Sequence, residues 1–520
     1  MVRFIGRTLL VICIGGALSV LSCSDSKFNG ATGKKSGGTT PSAASQQPGP
    51  GKPTPAYVDT NGVVKDECKE IKPLPSTTTS LVLQYQWRAS GDKSEFTKVS
   101  ATPIVGRLNK DDPAPSILAV GFKECNGDVS QTAYVFAIDG RDGAQKWVSD
   151  IPVVAWLSPA IGDLNGDGNL EIAVVGQDKK LHILSSSGKN TATSSEDIFV
   201  ASESLWPTGL TLADLTGEGT PSIVAGKKVL DGKTAALKFS LSSGNGFSAV
   251  GDVDGRPGLE IVTNAGIYSG KDGAALCTFA TPIDDPTPGV LTATADHGVV
   301  IGVTTNDVVV YDGRDCSVQK TIAKPHEGGG PINIADFNGD GTLDFGTAGK
   351  NGYMAFGLSG LLWTTPTQDI SSQRTGSTTF DFNGGGKNQI VYADEVKVHV
   401  FDGVDGRELY SADHDSYTAR ETPVVADVTG NGKARIIVGA NSCLTGATLV
   451  GIRVFRDPDD AWVNTRPIWN QHTYNPLLVS DAGGLAQIKP ESVSKPWLKA
   501  PYLAGYRNNI SQPPIKSSCK

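Results

Sequence analysis

The chain has 520 residues, of which 62 are Gly, 30 Pro and only 2 Met, a turn-rich composition that points away from a helical fold. Its formal net charge of −8 argues against a nucleic-acid partner. The six His include no His-x-x-x-His pair, and neither a Gly-x-Ser-x-Gly elbow nor a Gly-x-x-x-x-Gly-Lys loop occurs, so zincin, serine-hydrolase and phosphate-loop chemistries have no motif to stand on.

In chain order, Arg3 and Arg7 precede an apolar run from Leu9 to Val20, too short to span a bilayer and of the form of an export signal. The run ends Val20-Leu-Ser-Cys23, which resembles the lipobox of bacterial lipoproteins; Val20 stands where Leu is usual. That resemblance implies a signal peptide over 1–22, lipidation of Cys23 and a membrane held through a lipid anchor, at the outer membrane or cell surface. Residues 23–56 are dominated by Ser, Gly, Thr, Pro and Gln and cannot bury enough apolar surface to offset ordering entropy, so they read as a tether. Residues 57–79 form an irregular lead-in. Ser80-Leu-Val-Leu-Gln-Tyr-Gln-Trp87 then reads as an outer strand without the rest of its sheet, a candidate for closing a ring of sheets.

From there a unit repeats. Its fullest copies are Asp163-Leu-Asn-Gly-Asp-Gly-Asn-Leu-Glu171 and Asp336-Phe-Asn-Gly-Asp-Gly-Thr-Leu-Asp344, each followed by an apolar strand. Oxygen-bearing side chains on alternating positions, with glycines between, converge on one point and call for a hard cation; the oxygen-only set suits Ca²⁺. The expected ligands are Asp163, Asn165, Asp167, Asn169 and Glu171 in one loop and Asp336, Asn338, Asp340, Thr342 and Asp344 in the other. Weaker copies offer Asp214, Thr216 and Glu218, and Asp252, Asp254 and Glu260. In the last of these Arg256 stands at a ligand position, where its guanidinium could replace the ion by pairing with Asp252 and Glu260. The copies at Asp381 and Asp427 end in Gln389 and Arg435 and are expected to hold no ion. A loop-deleted copy fits Val290–Ile301 and an altered one begins at Thr102, for eight repeats in all. A period near ~45 residues with several strands each is the signature of a β-propeller. Asp-Gly-x-Asp-Gly turns, as at 139–143 and 402–406, supply a hairpin in each unit. The expected fold is all-β, a propeller of about eight four-stranded blades over 80–463, with seven as the alternative.

These repeats resemble the FG-GAP/VCBS repeats of integrin-α-type propellers and bacterial surface proteins. The resemblance implies Ca²⁺ at one end of a blade and a binding or adhesion module for a protein or polysaccharide. Integrin-type propellers have seven blades, a departure from the count of eight. Some eight-bladed propellers are enzymes, among them rhamnogalacturonan lyases with similar acidic loops, so a polysaccharide-cleaving enzyme is the alternative, and a structural component of an envelope complex a third. Residues 464–520 form an aromatic tail, packed on the propeller or extending it. Trp462, Trp469, His472, Tyr474 and Trp497 are its ligand-contact candidates; the bland reading is that they pack the tail onto the propeller. Six Cys follow the leader, and an even number in an exported chain favours disulfides. Cys277 with Cys316 and Cys68 with Cys519 are the expected pairs among fifteen possible connectivities.

Overall fold

The computed structural model describes residues 65–126, 131–198, 209–244, 247–289, 297–418, 420–444, 449–486, 505–514, 516 and 518. The chain divides at Pro53, and the leader, Cys23 and the tether lie outside the described residues, as do Trp497 and Cys519.

Each repeat folds as an antiparallel meander whose second strand is apolar on both faces. Glu171–Val175, Ser222–Ala225 and Gln389–Ala393 are buried throughout, which requires a neighbour on either side of the sheet. Eight sheets result, an eight-bladed propeller. Blades I to VIII begin with the inner strands Ile104–Gly106, Ala160–Gly162, Leu210–Ala213, Ala249–Gly251, Asp284–Gly289, Asn333–Ala335, Ser377–Phe380 and Val424–Ala426. Blade V is the loop-deleted repeat, with Val299–Val303 as its second strand.

Closure follows the sequence. Val82–Trp87 pairs antiparallel with Val450–Arg456 and becomes the outer strand of blade VIII, so the first and last parts of the propeller share one sheet and the ring keeps no open edge there. A disulfide the sequence did not single out, Cys125–Cys443, joins blades I and VIII across the same seam. Cys277–Cys316 forms as expected. Cys68 is also disulfide-bonded.

Four of the seams between blades share a device. An aromatic from one blade's outer strand lies on a turn glycine of the next: Tyr85 on Gly143, Trp147 on Gly188, Phe239 on Gly273 and Trp363 on Gly406. A Cβ at any of these glycines would fall 2.4 to 2.6 Å from the ring. Burying such a ring contributes roughly 2–3 kcal/mol. At the seam of blades IV and V, Cys277 stands at the aromatic position and Cys316 at the glycine position, where it takes φ 59°; the disulfide replaces the ring.

The tail corrects one expectation. Residues 464–486 and 505–512 run along the inner strands. Val105 and Trp469 exchange backbone hydrogen bonds of 2.9 Å, Ile161 N–H donates to the Asn470 carbonyl at 2.9 Å, and Ile334 N–H donates to Tyr506 O at 2.9 Å. Leu212 N–H donates to Gln471 Oε1 at 2.7 Å, and Asn509 Nδ2 donates to Val425 O at 2.9 Å. The innermost strands would otherwise leave backbone groups unpaired along the axis, and the tail supplies their partners. Trp462, Trp469, His472 and Tyr474 are each no more than 2% exposed. They pack the tail, the other arrangement the sequence allowed: Trp469 stacks on Tyr474 at 4.3 Å, and Trp462 lies on Phe382 at 4.3 Å.

Candidate functional site: the acidic loops

Each acidic loop joins a blade's first and second strands, so the loops share one end of the propeller with the Asp-Gly hairpins. Their geometry separates two jobs that the sequence pattern merges. The leading Asp builds the turn. Asp163 accepts from Gly166 and Gly168 N–H at 2.7 and 3.0 Å, and Asp336 from Gly339 and Gly341 at 2.6 and 2.9 Å. Asp214, Asp381 and Asp427 make the same pair of bonds to the glycines three and five residues on. The glycines at these places take φ between 71° and 88°, a conformation that only Gly adopts without strain.

The last position staples the loop. Glu171 Oε2 accepts Leu164 N–H at 2.9 Å, Glu260 Oε2 accepts Val253 N–H at 2.8 Å and Asp344 Oδ2 accepts Phe337 N–H at 3.1 Å. In blade VII the neutral Gln389 does the same for Phe382 at 2.9 Å. A carboxylate is therefore not required for the turn, and its presence in blades II, IV and VI is charge beyond what the backbone needs.

That charge is crowded. In blade IV, Asp252, Asp254 and Glu260 bring carboxylate oxygens within 4.8 Å of one another, with Asp254 and Glu260 buried, an arrangement able to hold a metal ion. Burial, then the neighbouring Asp254 and Asp252, push Glu260 up to about 8. Asp344 is pushed up to about 7 by burial and by Asp340 and Asp336. Burial, with Asp167 and Asp163 nearby, likewise raises Glu171. Arg256 does not neutralise Glu260: its side chain is 70% exposed and its Nε stands 3.9 Å from Asp254, at the rim. Arg256 pairs with Asp254 at the rim and leaves Glu260 among the neighbouring carboxylates.

The remaining expected ligands divide. Asn165 and Asn338 accept the Asp167 and Asp340 N–H at 2.9 and 2.8 Å, turning the loop, while Asn165 Nδ2 donates to Glu171 at 2.8 Å and Asp167 at 3.2 Å. Asp167 accepts the Asn169 N–H, and Asp340 accepts first the Thr342 hydroxyl and then its N–H; these bonds hold both carboxyls below their usual range. Asn169 turns toward blade I and accepts Lys110 N–H at 3.3 Å. In the blade III loop Glu218 is exposed, Thr216 Oγ1 is buried without a hydrogen-bond partner among the described residues, and Ser222, in the stapling position, accepts from Lys238 at 3.0 Å.

The FG-GAP-like repeat model matches residues 163–225. No protein of curated description matches the chain. Among solved structures the chain is similar to the V. cholerae biofilm matrix protein Bap1, at 19% identity and a TM-score of 0.70, covering 84% of this chain and 100% of that one. It is also similar to the exotype rhamnogalacturonan lyase YesX, at 14% identity and a TM-score of 0.51, covering 72% of this chain and 75% of that one. At such identities the likeness is one of fold. The chain is an eight-bladed β-propeller carrying FG-GAP-like repeats.

Proposed function

We propose that this protein is a lipid-anchored binding module of a bacterial surface, whose propeller engages a polysaccharide or a surface protein. The observation that carries this reading is the filled axis. The channel that could have formed a deep axial pocket is occupied by the chain's own tail, with Trp469, Tyr474, Tyr506 and Arg507 buried in it, so the surfaces left for a partner are the loop faces and the seams. The polysaccharide-cleaving alternative loses the axial aromatic pocket that would have favoured it.

In this reading calcium stiffens the acidic end. The donor sets fit: Asp163, Asp167 and Glu171 in blade II, Asp252, Asp254 and Glu260 in blade IV, and Asp336, Asp340 and Asp344 in blade VI would hold the ion, with Asn165 and Asn338 alongside. The ion supplies positive charge among these crowded carboxylates. Extracellular modules bind Ca²⁺ at about 10⁻⁴–10⁻³ M, sufficient outside a cell. Lipidation at Cys23 and the tether that follows would display the module away from its membrane.

A glycan-array and polysaccharide-degradation screen on the mature chain, with and without Ca²⁺, tests the proposal. Binding without turnover is the expected result. Release of unsaturated sugar products would overturn it in favour of a lyase.

A further inference from the structure

The seam between blades II and III lacks the ring-on-glycine device of four other seams, as does the seam of blades V and VI, where no described residue comes within 4 Å of a Cβ on Gly360. Trp147, Phe239 and Cys277 each stand four residues after the positive-φ residue of their own hairpin, Gly143, Ala235 and Gly273. The corresponding residue of blade II, four after Gly188, is Ala192, and it packs with Ile183 and Ala235 in the core of this seam. Two alanines stand where other seams hold a ring on a glycine, or a disulfide.

A pocket of about 290 Å³ opens at this seam. One wall is the acidic loop, through Asp167, Asn169 and Glu171; the facing walls are Ser186 and Thr191 of the blade II hairpin and Lys233 of blade III. Leu164 and Ile183 form an apolar floor. Ser186, Thr191 and Lys233 lie outside the ion loop, so the pocket is more than the surroundings of an ion. Its volume is at the low end of small-molecule sites, which run from about 300 to 1,000 Å³. Ser186 Oγ donates to Asn109 Oδ1 and Thr191 Oγ1 to Ile183 O, both at 2.8 Å, so these hydroxyls face the pocket as acceptors. With the Asp167 carboxylate, the Asn169 amide, whose oxygen also accepts Lys110 N–H, and one ammonium donor above an apolar floor, they match a small ring that carries hydroxyls on its rim and C–H groups on its face.

We infer that the pocket between blades II and III binds a single pyranose residue of a polysaccharide, its hydroxyls against Asp167, Asn169, Ser186 and Thr191 and its ring over Leu164 and Ile183. The inference rests on the polysaccharide arm of the function proposed above and gives it a place. Filling the pocket is the direct test. Thr191→Trp, and the smaller Thr191→Phe, put a ring into the pocket from its own lining and leave every acidic-loop residue in place. The mature chain and both variants are applied to a glycan array, and monosaccharides are titrated against each hit, with the melting temperature of each variant reporting its folding.

The expected result is glycan binding by the wild type, competed by one monosaccharide, and a loss of at least about tenfold in affinity in a folded variant. Undiminished glycan binding by either folded variant would overturn the seam site while leaving the function proposed above standing. Absence of wild-type binding to any glycan would overturn the seam site and the polysaccharide arm of the function, leaving a surface protein as the partner. Capture of basic peptides in place of sugars, lost on filling, would overturn the sugar assignment.

Discussion

The acidic loops of blades VI and VII, adjacent in the ring, share one backbone and differ in charge. In both, the leading Asp takes the N–H groups of glycines three and five residues on, and the last residue staples the loop to the start of the turn. Blade VI reaches this geometry with Asp336, Asp340 and Asp344 and leaves its loop tip exposed. Blade VII reaches it with Asp381 and Gln389, partly beneath other parts of the chain. Asn383 Nδ2 donates to Lys72 O at 2.9 Å, Pro513 lies 2.4 Å from where a Cβ on Gly384 would fall, and Glu70 N–H donates to Pro514 O at 2.7 Å. The blade VII loop, partly covered at Asn383 and Gly384 but with its 385–387 tip exposed as in blade VI, has a single carboxylate, and the blade VI loop has three. The turn is thus separable from the charge, and the surplus carboxylates are what an ion would use.

The comparison breaks most visibly at Asp381. Asp381→Ala strips the acceptor from Gly384, Gly385 and Gly386 N–H in a buried site. Denaturant unfolding is expected to show a loss of about 3 kcal/mol or more, equal with and without calcium. Chelation should do the reverse: it lowers the melting temperature of the wild type, and Asp167→Ala combined with Asp340→Ala removes most of that sensitivity in calorimetry.

A pH series on chelated protein sharpens the contrast. Asp344 and Glu260 have folded-state values raised to about 7 and about 8, so the folded state binds protons more tightly than the unfolded one. Their favourable contribution is complete below their unfolded values and is lost as pH rises through 7 and 8. The melting temperature without calcium should therefore fall between about pH 5 and 8, and saturating calcium should flatten the decline. The smallest effect is expected from Asp344→Asn, which makes blade VI resemble blade VII. The staple to Phe337 survives, and metal-free stability at pH 8 rises by roughly 1 kcal/mol as the burial of a charge, and then its repulsion from Asp340 and Asp336, are relieved.

Local features of the fold were legible in the sequence because they repeat. The Asp-x-Asn-Gly-Asp-Gly loops, the Asp-Gly turns and the apolar second strands each recur at a fixed offset, which locates eight blades and even the closing strand at Val82–Trp87. What stayed hidden depends on contacts between distant segments. Nothing near Trp469 or Tyr474 states that the tail returns along the axis; their aromatic and amide-rich surroundings suit a binding surface and a channel lining equally. Cys125 and Cys443, 318 residues apart, meet only because blades I and VIII close the ring. The double role of Asp163 and Asp336, as turn acceptors first, needed the backbone geometry. The seam position did carry a signal, since Trp147, Phe239, Cys277 and Ala192 fall at one offset from their hairpins, but its meaning required the facing residue of the next blade.

Calcium stoichiometry tests the separation of turn from charge most directly. Equilibrium dialysis of metal-stripped wild type, Asp344→Asn and Gln389→Ala against calcium would count the ions each takes up. The account predicts uptake by the wild type, one ion fewer in Asp344→Asn and no change in Gln389→Ala. Equal stoichiometry in wild type and Asp344→Asn, or no uptake by any of the three, would contradict it.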